Sequence, residues 1–200
     1  MKSQYAGLAL LLVAAPGLLF GQLPQSATAA SFGVSVRTAT INQTLSSAVL
    51  PGDGSLAQTQ ASEITVASLV SARDAFAIAT GDGTAPADAG SSATLESVSI
   101  LNGLITADAL VAIASSTTEG SSTEGSSVAN LVVNGTALTD PAPNTRVDLP
   151  GVGYVVLNEQ TTTSGGVTIN MIHVVLQQPG LTGPRVTGEI IVGSASSHVN

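Results

Sequence analysis

Apolar residues occur at every second position through most of the chain after residue 31, and this alternation constrains the fold more than any other feature. They are chiefly Val and Ile with Thr among them, and they are not spaced three and four apart as in an amphipathic helix. Turn-forming clusters such as Pro51-Gly52-Asp53-Gly54 and Pro150-Gly151 interrupt the alternation at short intervals. The pattern predicts an all-β fold, an antiparallel β-sandwich or a barrel-like variant, with about eight to nine strands.

The first half of the chain divides into predicted strands and one predicted loop. Residues 31–37 form a short strand, and residues 42–60 are interpreted as a loop. Residues 63–79 place five apolar side chains on one face of a single strand: Ile64, Val66, Val70, Phe76 and Ile78. Frequent alanine makes a helix the competing interpretation for residues 66–79, and the turn chemistry of Thr80-Gly81-Asp82-Gly83 favours the strand.

One segment of the chain occurs twice. Residues 69–80 align without gaps on residues 104–115, with five identical positions. Each copy leads through a loop rich in Gly, Ser and acidic residues to an apolar strand that ends in Asn-Gly, at Asn102-Gly103 and at Asn134-Gly135. The repeat predicts two equivalent hairpins within a sandwich, because two copies are too few for a solenoid.

The remaining segments complete a single domain of residues 30–200. Residues 154–159 and 167–176 form a third hairpin, and residues 186–195 form the last strand. We expect flexible loops near residues 81–92, 116–127 and 177–186, where Gly, Ser, Thr and Pro cluster.

The N-terminus has the three-part plan of a secretory signal peptide over residues 1–29. Lys2 precedes an apolar run over residues 6–20, and Ala27-Thr28-Ala29 forms an A-x-A cleavage site. The run is shorter than the roughly 20 residues that span a membrane, and Pro16-Gly17 interrupts it. The chain has no cysteine to carry a lipid. We therefore expect a secreted protein, extracellular or in the cell envelope, with no membrane span or visible anchor after cleavage.

Composition excludes several classes of function. The chain carries a formal net charge of −8, and loss of Lys2 with the leader would leave four arginines against thirteen acids, or −9. Such a charge disfavours nucleic acid and anionic membranes as partners. The absence of cysteine excludes thiolate chemistry, and a mature chain without lysine excludes Schiff bases and P-loops. Aromatic residues make up only 2%, which disfavours a sugar-stacking platform. No cofactor is predicted.

Residues 62–197 resemble a family of bacterial secreted proteins, the choice-of-anchor P family. The resemblance is carried, in order, by Leu104-Ile105-Thr106-Ala107-Asp108-Ala109, Asn130-Leu131-Val132-Val133-Asn134-Gly135, Leu149-Pro150-Gly151-Val152-Gly153, Leu157-Asn158-Glu159-Gln160, Ile172-His173-Val174 and Gly188-Glu189-Ile190-Ile191-Val192-Gly193-Ser194-Ala195. It implies an exported, mostly β protein and no known enzymatic activity. Family members often carry cysteines near the strand matching residues 107–115 and end in a surface anchor, and this chain has neither feature.

His173 is the candidate site residue with the most informative surroundings. Its strand places Val167, Ile169, Met171 and Val175 on the same parity, so its side chain is predicted to point into the core. If their strands are neighbours, two carboxylates from the resembling motifs reach it, Glu159 and Glu189. We predict a buried Glu–His hydrogen-bond network that fixes strand register. A metal site and acid–base catalysis are the weaker alternatives, because the other histidine, His198, lies near the C-terminus.

Other motifs give no catalytic residue. Gly52-Asp53-Gly54 and Gly81-Asp82-Gly83-Thr84 resemble fragments of calcium loops but lack the alternating acidic ligands, and Asp-Gly is ordinary turn chemistry. No G-x-S-x-G nucleophile elbow occurs. The sequence therefore favours a non-enzymatic structural protein that interacts, through β surfaces, with itself or with other envelope or matrix proteins. The alternative is a small extracellular binding module for calcium or a partner peptide.

Overall fold

The computed structural model describes residues 26–84, 86–180 and 183–200, and every regular element in these ranges is a β-strand. The strands are β1 (Ala27–Thr38), β2 (Asn42–Val49), β3 (Ala57–Val66), β4 (Val70–Asp82), β5 (Asp88–Ile100), β6 (Ile105–Thr117), β7 (Gly120–Ser122), β8 (Ser127–Ala129), β9 (Leu131–Val133), β10 (Thr136–Leu138), β11 (Thr145–Leu149), β12 (Gly153–Thr163), β13 (Gly166–Gly180) and β14 (Gly183–Val199). Within these ranges, no helix has the length and hydropathy that crossing a membrane requires.

The strands form two antiparallel sheets, which confirms the predicted all-β sandwich. Sheet A has six strands in the order β11-β12-β13-β14-β1-β2. Sheet B has eight strands, with the order β10-β9-β6-β5-β4-β3 and with β7 and β8 paired to β6 beside that path. The strand count exceeds the predicted eight to nine, in part because β7 to β10 are only three residues each.

Two predictions for the first half are wrong. The segment 42–60 is not a loop, because it holds β2 and the start of β3, with only residues 50–56 between them. Residues 63–79 are not one strand, because the chain turns between β3 and β4. Ala67 has a φ of 49°, and the N–H of Leu69 donates to the carbonyl of Val66 at 3.0 Å to close this turn.

The long strands reverse their inside–outside alternation midway along their length. In β14, Ile190 and Val192 are buried before the reversal, whereas Ala195, Ser197 and Val199 are buried after it. A left-handed residue within a strand redirects the following side chains to the opposite face. We call the row of reversing residues the phase break. Its left-handed residues are Ser46, Asn158 and Gly193 in sheet A and Asp74 and Ser97 in sheet B. Gly33 and Met171 complete the row in sheet A, where the burial alternation reverses without a positive φ.

The phase break also changes the face on which the later side chains of β4 lie, relative to the prediction. Val70 is buried as expected, but Asp74 has a φ of 45° and the register with β5 shifts around it. Ala75 is buried beyond this point, so Phe76 and Ile78 lie on the outer, partly exposed face of sheet B. The prediction that Val70, Phe76 and Ile78 share one face is therefore wrong.

The two halves of the sandwich bury different side chains. The aliphatic half, on one side of the phase break, buries mainly Val, Ile and Leu, among them Val66, Ile100, Ile105, Leu157 and Ile190. The alanine half, where the described chain begins and ends, buries mainly Ala and Ser, among them Ala29, Ala48, Ala77, Ala79 and Ala89. This difference divides one continuous sandwich into two ends of distinct chemistry.

Serine hydroxyls link the two sheets in the alanine half. Ser31 on β1 donates to the carbonyl of Ile78 on β4 at 2.8 Å. Ser91 on β5 donates to the carbonyl of Ser196 on β14, also at 2.8 Å. Because alanine and serine side chains are short, the facing sheets can approach closely enough for these bonds, which satisfy the buried hydroxyls.

The repeated segments form the expected hairpins. The first copy supplies β4, which returns along its whole length as β5. The second copy supplies β6, whose return is divided into β8 and β9 by Asn130, with a φ of 50°. The predicted third hairpin is β12 and β13, paired from Gly153–Leu176 to Thr163–Gly166.

Much of the chain expected to form loops is paired backbone. Residues 88–92 belong to β5, residues 120–122 to β7, and residues 177–180 and 183–186 to the hairpin of β13 and β14. Most of the expected signal peptide lies outside the described residues. Its last three residues, 27–29, pair with residues 197–199 of β14.

Candidate functional site

The structure brings the three predicted site residues together on sheet A. They lie on the adjacent strands β12, β13 and β14. His173 Nδ1 is 2.9 Å from Glu159 Oε2, and His173 Nε2 is 3.6 Å from Glu189 Oε2. The imidazole ring therefore lies between two carboxylates, one facing each nitrogen.

His173 lies on the outer face of the sheet, so the prediction that it points into the core is wrong. Its cross-strand partners Val156 and Ile191 are both half-buried, whereas its chain neighbours Ile172 and Val174 are fully buried. The predicted parity changes at Met171, in the phase break, where two successive residues of β13 are buried. The side chain of His173 is nevertheless only 17% exposed, because the flanking side chains cover it.

Further polar groups hold the two carboxylates in place. Asn170 Nδ2 donates to Glu159 Oε2 at 2.7 Å, and Arg37 on β1 donates to Glu189 Oε1 at 2.9 Å. The network, which consists of Asn170, Glu159, His173, Glu189 and Arg37, joins four strands. Sequence analysis missed Asn170 and Arg37; the only signal for Arg37 was the scarcity of arginine, and none marked Asn170.

The hydrogen-bond pattern identifies the ring nitrogen that carries the proton. Because a carboxylate only accepts, the short contact with Glu159 assigns a proton to Nδ1 of His173. In a neutral ring Nε2 is then unprotonated, and it is a buried atom without a hydrogen-bond partner among the described residues. Protonation of the ring would let it donate toward both carboxylates.

The arrangement does not resemble a metal centre. The two carboxylates approach opposite edges of the ring, so the three side chains do not converge on one point. Among the described residues, no group of three His, Asp or Glu side chains could hold a metal ion. The other histidine, His198, instead contacts the Asn200 side chain, with Nε2 2.6 Å from Oδ1. The geometry suits a polar crosslink between strands.

The two Asp-Gly loops use their carboxylates locally. Asp53 Oδ1 accepts hydrogen bonds from the hydroxyl and the backbone N–H of Ser55, and these lower the pKa of Asp53. Asp82 Oδ1 accepts in the same way from the backbone N–H and the hydroxyl of Thr84, which lower the pKa of Asp82. Each aspartate therefore stabilises its own turn.

Comparison with known proteins identifies no relative, because no family model, no curated protein and no solved structure matches the chain. The resemblance to the choice-of-anchor P family therefore stays a prediction.

Proposed function

We propose that this chain is an exported structural protein that assembles with itself, or with other envelope or matrix proteins, through the exposed edges of its β-sheets, and that it is not an enzyme. The signal-peptide pattern of residues 1–29 supports export. The polar network around His173 supports a structural role, because each of its bonds connects strands.

The outer edge formed by β2 and β3 carries the proposal. β2 is an edge strand of sheet A, and β3 is an edge strand of sheet B on the same side of the sandwich. Thr59 Oγ1 donates to the carbonyl of Ser47 at 2.7 Å and joins the two edges. Glu63 is the only charged side chain in β2 and β3, and neither strand contains lysine or proline. Edge strands that must stay unpaired usually carry such blocking residues, so this edge is open to another strand.

Net charge supplies the opposing force. A mature charge of −9 opposes edge pairing at neutral pH, and protonation of the acids or screening by salt weakens that repulsion. We expect self-association through edges to increase as pH falls from about 7 toward the pI near 4.3, and to increase with salt.

A pair of lysine variants tests the edge. Gln60→Lys adds a charge to an exposed position on β3, whereas Ser71→Lys adds the same charge to an exposed position on β4, which has neighbours on both sides. Light scattering along the pH series should show reduced association for Gln60→Lys and near wild-type association for Ser71→Lys. Equal behaviour of the two variants would contradict edge pairing. Wild-type protein that stays monomeric throughout would favour the binding module instead.

A further inference from the structure

The arginines of the molecule are confined to one part of the strand direction. All four arginines of the described residues lie on the aliphatic side of the phase break or beside it, at positions 37, 73, 146 and 185. Acids such as Glu63, Asp148 and Glu189 lie beside them. The loops at the far end of the alanine half carry acids and no arginine, namely Asp53, Asp82, Asp88 and Glu119. Charge at that end is therefore acidic alone, whereas the aliphatic half carries both signs.

A groove at the end of the aliphatic half collects two of these arginines. It has a volume of about 590 Å³ and is lined by Arg37, Arg185, Val186 and Glu189, among others. Arg37 is paired with Glu189, but Arg185 forms no ion pair among the described residues. Val186 is 57% exposed, so the groove presents an apolar side chain beside an unpaired cation.

The acidic end presents the complementary chemistry. The described residues contain only two other exposed large hydrophobic side chains, Val49 at 62% and Leu56 at 56%, and these flank the Asp53 loop. That loop lies against the Asp82 loop, because a Cβ on Gly54 would come within 3.3 Å of the carbonyl oxygen of Gly81. Asp82 and Asp88 are direct cross-strand partners, a like-charge pair that gains from an external cation.

We infer that copies of this chain associate end to end, with the acidic end of one copy docked in the groove of Arg37, Arg185 and Val186 on the next. The partner is a second copy because this chain itself supplies both halves of the match: exposed apolar side chains at both ends, the unpaired Arg185 at one and acids without a neighbouring arginine at the other. Such a contact is heterologous, so it leaves a free groove and a free acidic end for further copies and generates open filaments or rings.

This inference rests on the proposed function, since it names the partner and the longitudinal contact of the assembly. The two contacts respond to salt in opposite directions. Edge pairing is opposed by net charge and is strengthened by salt, whereas the end contact depends on attraction between opposite charges and is weakened by salt. At pH 7 and low ionic strength, the measured association therefore reflects the end contact rather than edge pairing.

Sedimentation velocity of the purified chain at pH 7 tests the inference. In low salt the average mass should rise with protein concentration, and in about 0.5 M salt it should return toward the monomer. Arg185→Asp should weaken the low-salt association at least about tenfold. Asp88→Arg should weaken it as well, and this variant places Arg opposite Asp82, a pairing that favours folding. Combining both changes in one chain restores opposite charges across the contact and should recover much of the association.

Arg146→Asp is the matched control. It changes the net charge by the same amount at an exposed position on β11, outside the groove, and it should associate more tightly than Arg185→Asp. Equal weakening by Arg185→Asp and Arg146→Asp, or association that strengthens with salt at pH 7, would overturn the end contact and leave edge pairing standing. A monomer in low salt at pH 7 would also overturn the end contact. A chain that stays monomeric at low pH and high salt as well would contradict the proposed function too.

Discussion

His173 on β13 hydrogen-bonds Glu159 on the neighbouring strand β12 through Nδ1, at 2.9 Å. Glu189 on β14 faces the other ring nitrogen at 3.6 Å, which is too long for a hydrogen bond. A glutamine at this position has no ring to fill the space between the two carboxylates. We therefore expect His173→Gln to lower the free energy of unfolding by about 1 to 3 kcal/mol, because polar groups that are mostly buried lose their partner.

Urea denaturation measures this effect, and His198→Gln provides the control. The His198 side chain hydrogen-bonds Asn200 near the end of the chain and joins no carboxylate, so its replacement should change the free energy of unfolding by less than about 0.5 kcal/mol. Equal values for the two variants would show that the network around His173 adds no stability.

The aspartates of the two Asp-Gly loops give a pH dependence at the residue scale. Hydrogen bonds from Ser55 and Thr84 lower the pKa values of Asp53 and Asp82 in the folded state. Their contribution to stability is thus present above the unfolded pKa of about 3.9 and is lost as pH falls through the lower folded values. The double variant Asp53→Asn, Asp82→Asn should be less stable than wild type at pH 6, and the difference should vanish toward pH 2.

Denaturation of both chains at a series of pH values checks this dependence. Glu119→Gln removes a loop carboxylate that accepts no hydrogen bond among the described residues, so its curve should stay parallel to that of wild type. A double-variant curve that also ran parallel to wild type would contradict the role of the two turns.

At the residue scale, the sequence predicted which side chains meet but not the face on which they meet. The predicted third hairpin placed Glu159 and His173 on neighbouring strands, and Glu189 was expected to reach His173 if its strand lay alongside. The face of His173 depends on where β13 reverses its alternation, at Met171. The neighbouring strands reverse beside it at Asn158, with a φ of 50°, and at Gly193, with a φ of 68°. Asn and Gly permit left-handed backbone but do not require it, so their presence alone could not locate the reversal.

At the element scale, the phase break is the feature that gives each long strand its two faces. Gly193 is the clearest position for testing it, because an added Cβ would lie 2.2 Å from Leu110 Cδ1 on the facing sheet and the φ is left-handed. Gly193→Ala should therefore lower the free energy of unfolding by about 2 to 4 kcal/mol, through backbone strain and overpacking. Thermal and urea denaturation measure the loss.

Gly52→Ala is the matched control for this substitution. Its added Cβ would meet no atom within 4 Å, and it lies in the loop between β2 and β3. The change should be close to neutral, or stabilising by up to about 1 kcal/mol, because it restricts the unfolded chain. If Gly193→Ala were equally neutral, sheet A would not need the left-handed residue at this position.

Elements with an apolar face were predictable, and the polar edge strands were not. The repeat over residues 69–80 and 104–115 indicated β4 and β6 because both are rich in Ile, Val and Ala. The inward positions at the start of β3 are instead Ala57, Thr59 and Ala61, all only half-buried. An edge strand above an alanine core lacks the contrast between faces that periodicity detects, so residues 42–60 were interpreted as a loop.

At the scale of the whole molecule, the two halves of the sandwich differ in packing and in charge. Composition predicted an aliphatic, acidic domain. It could not show that the arginines and the acidic loops lie toward opposite ends, because that depends on which strand ends meet in the fold. The position of the arginines relative to the acidic loops becomes visible only when the strand directions are known.

We propose that this protein functions as an assembly of many copies. Negative-stain electron microscopy of the protein as exported by its cells is the decisive measurement, because regular particles distinguish assembly from isoelectric precipitation. We expect regular filaments or discrete oligomers whose mass is a multiple of that of the mature chain. Single particles of monomer size, or only amorphous precipitate under every condition, would contradict it.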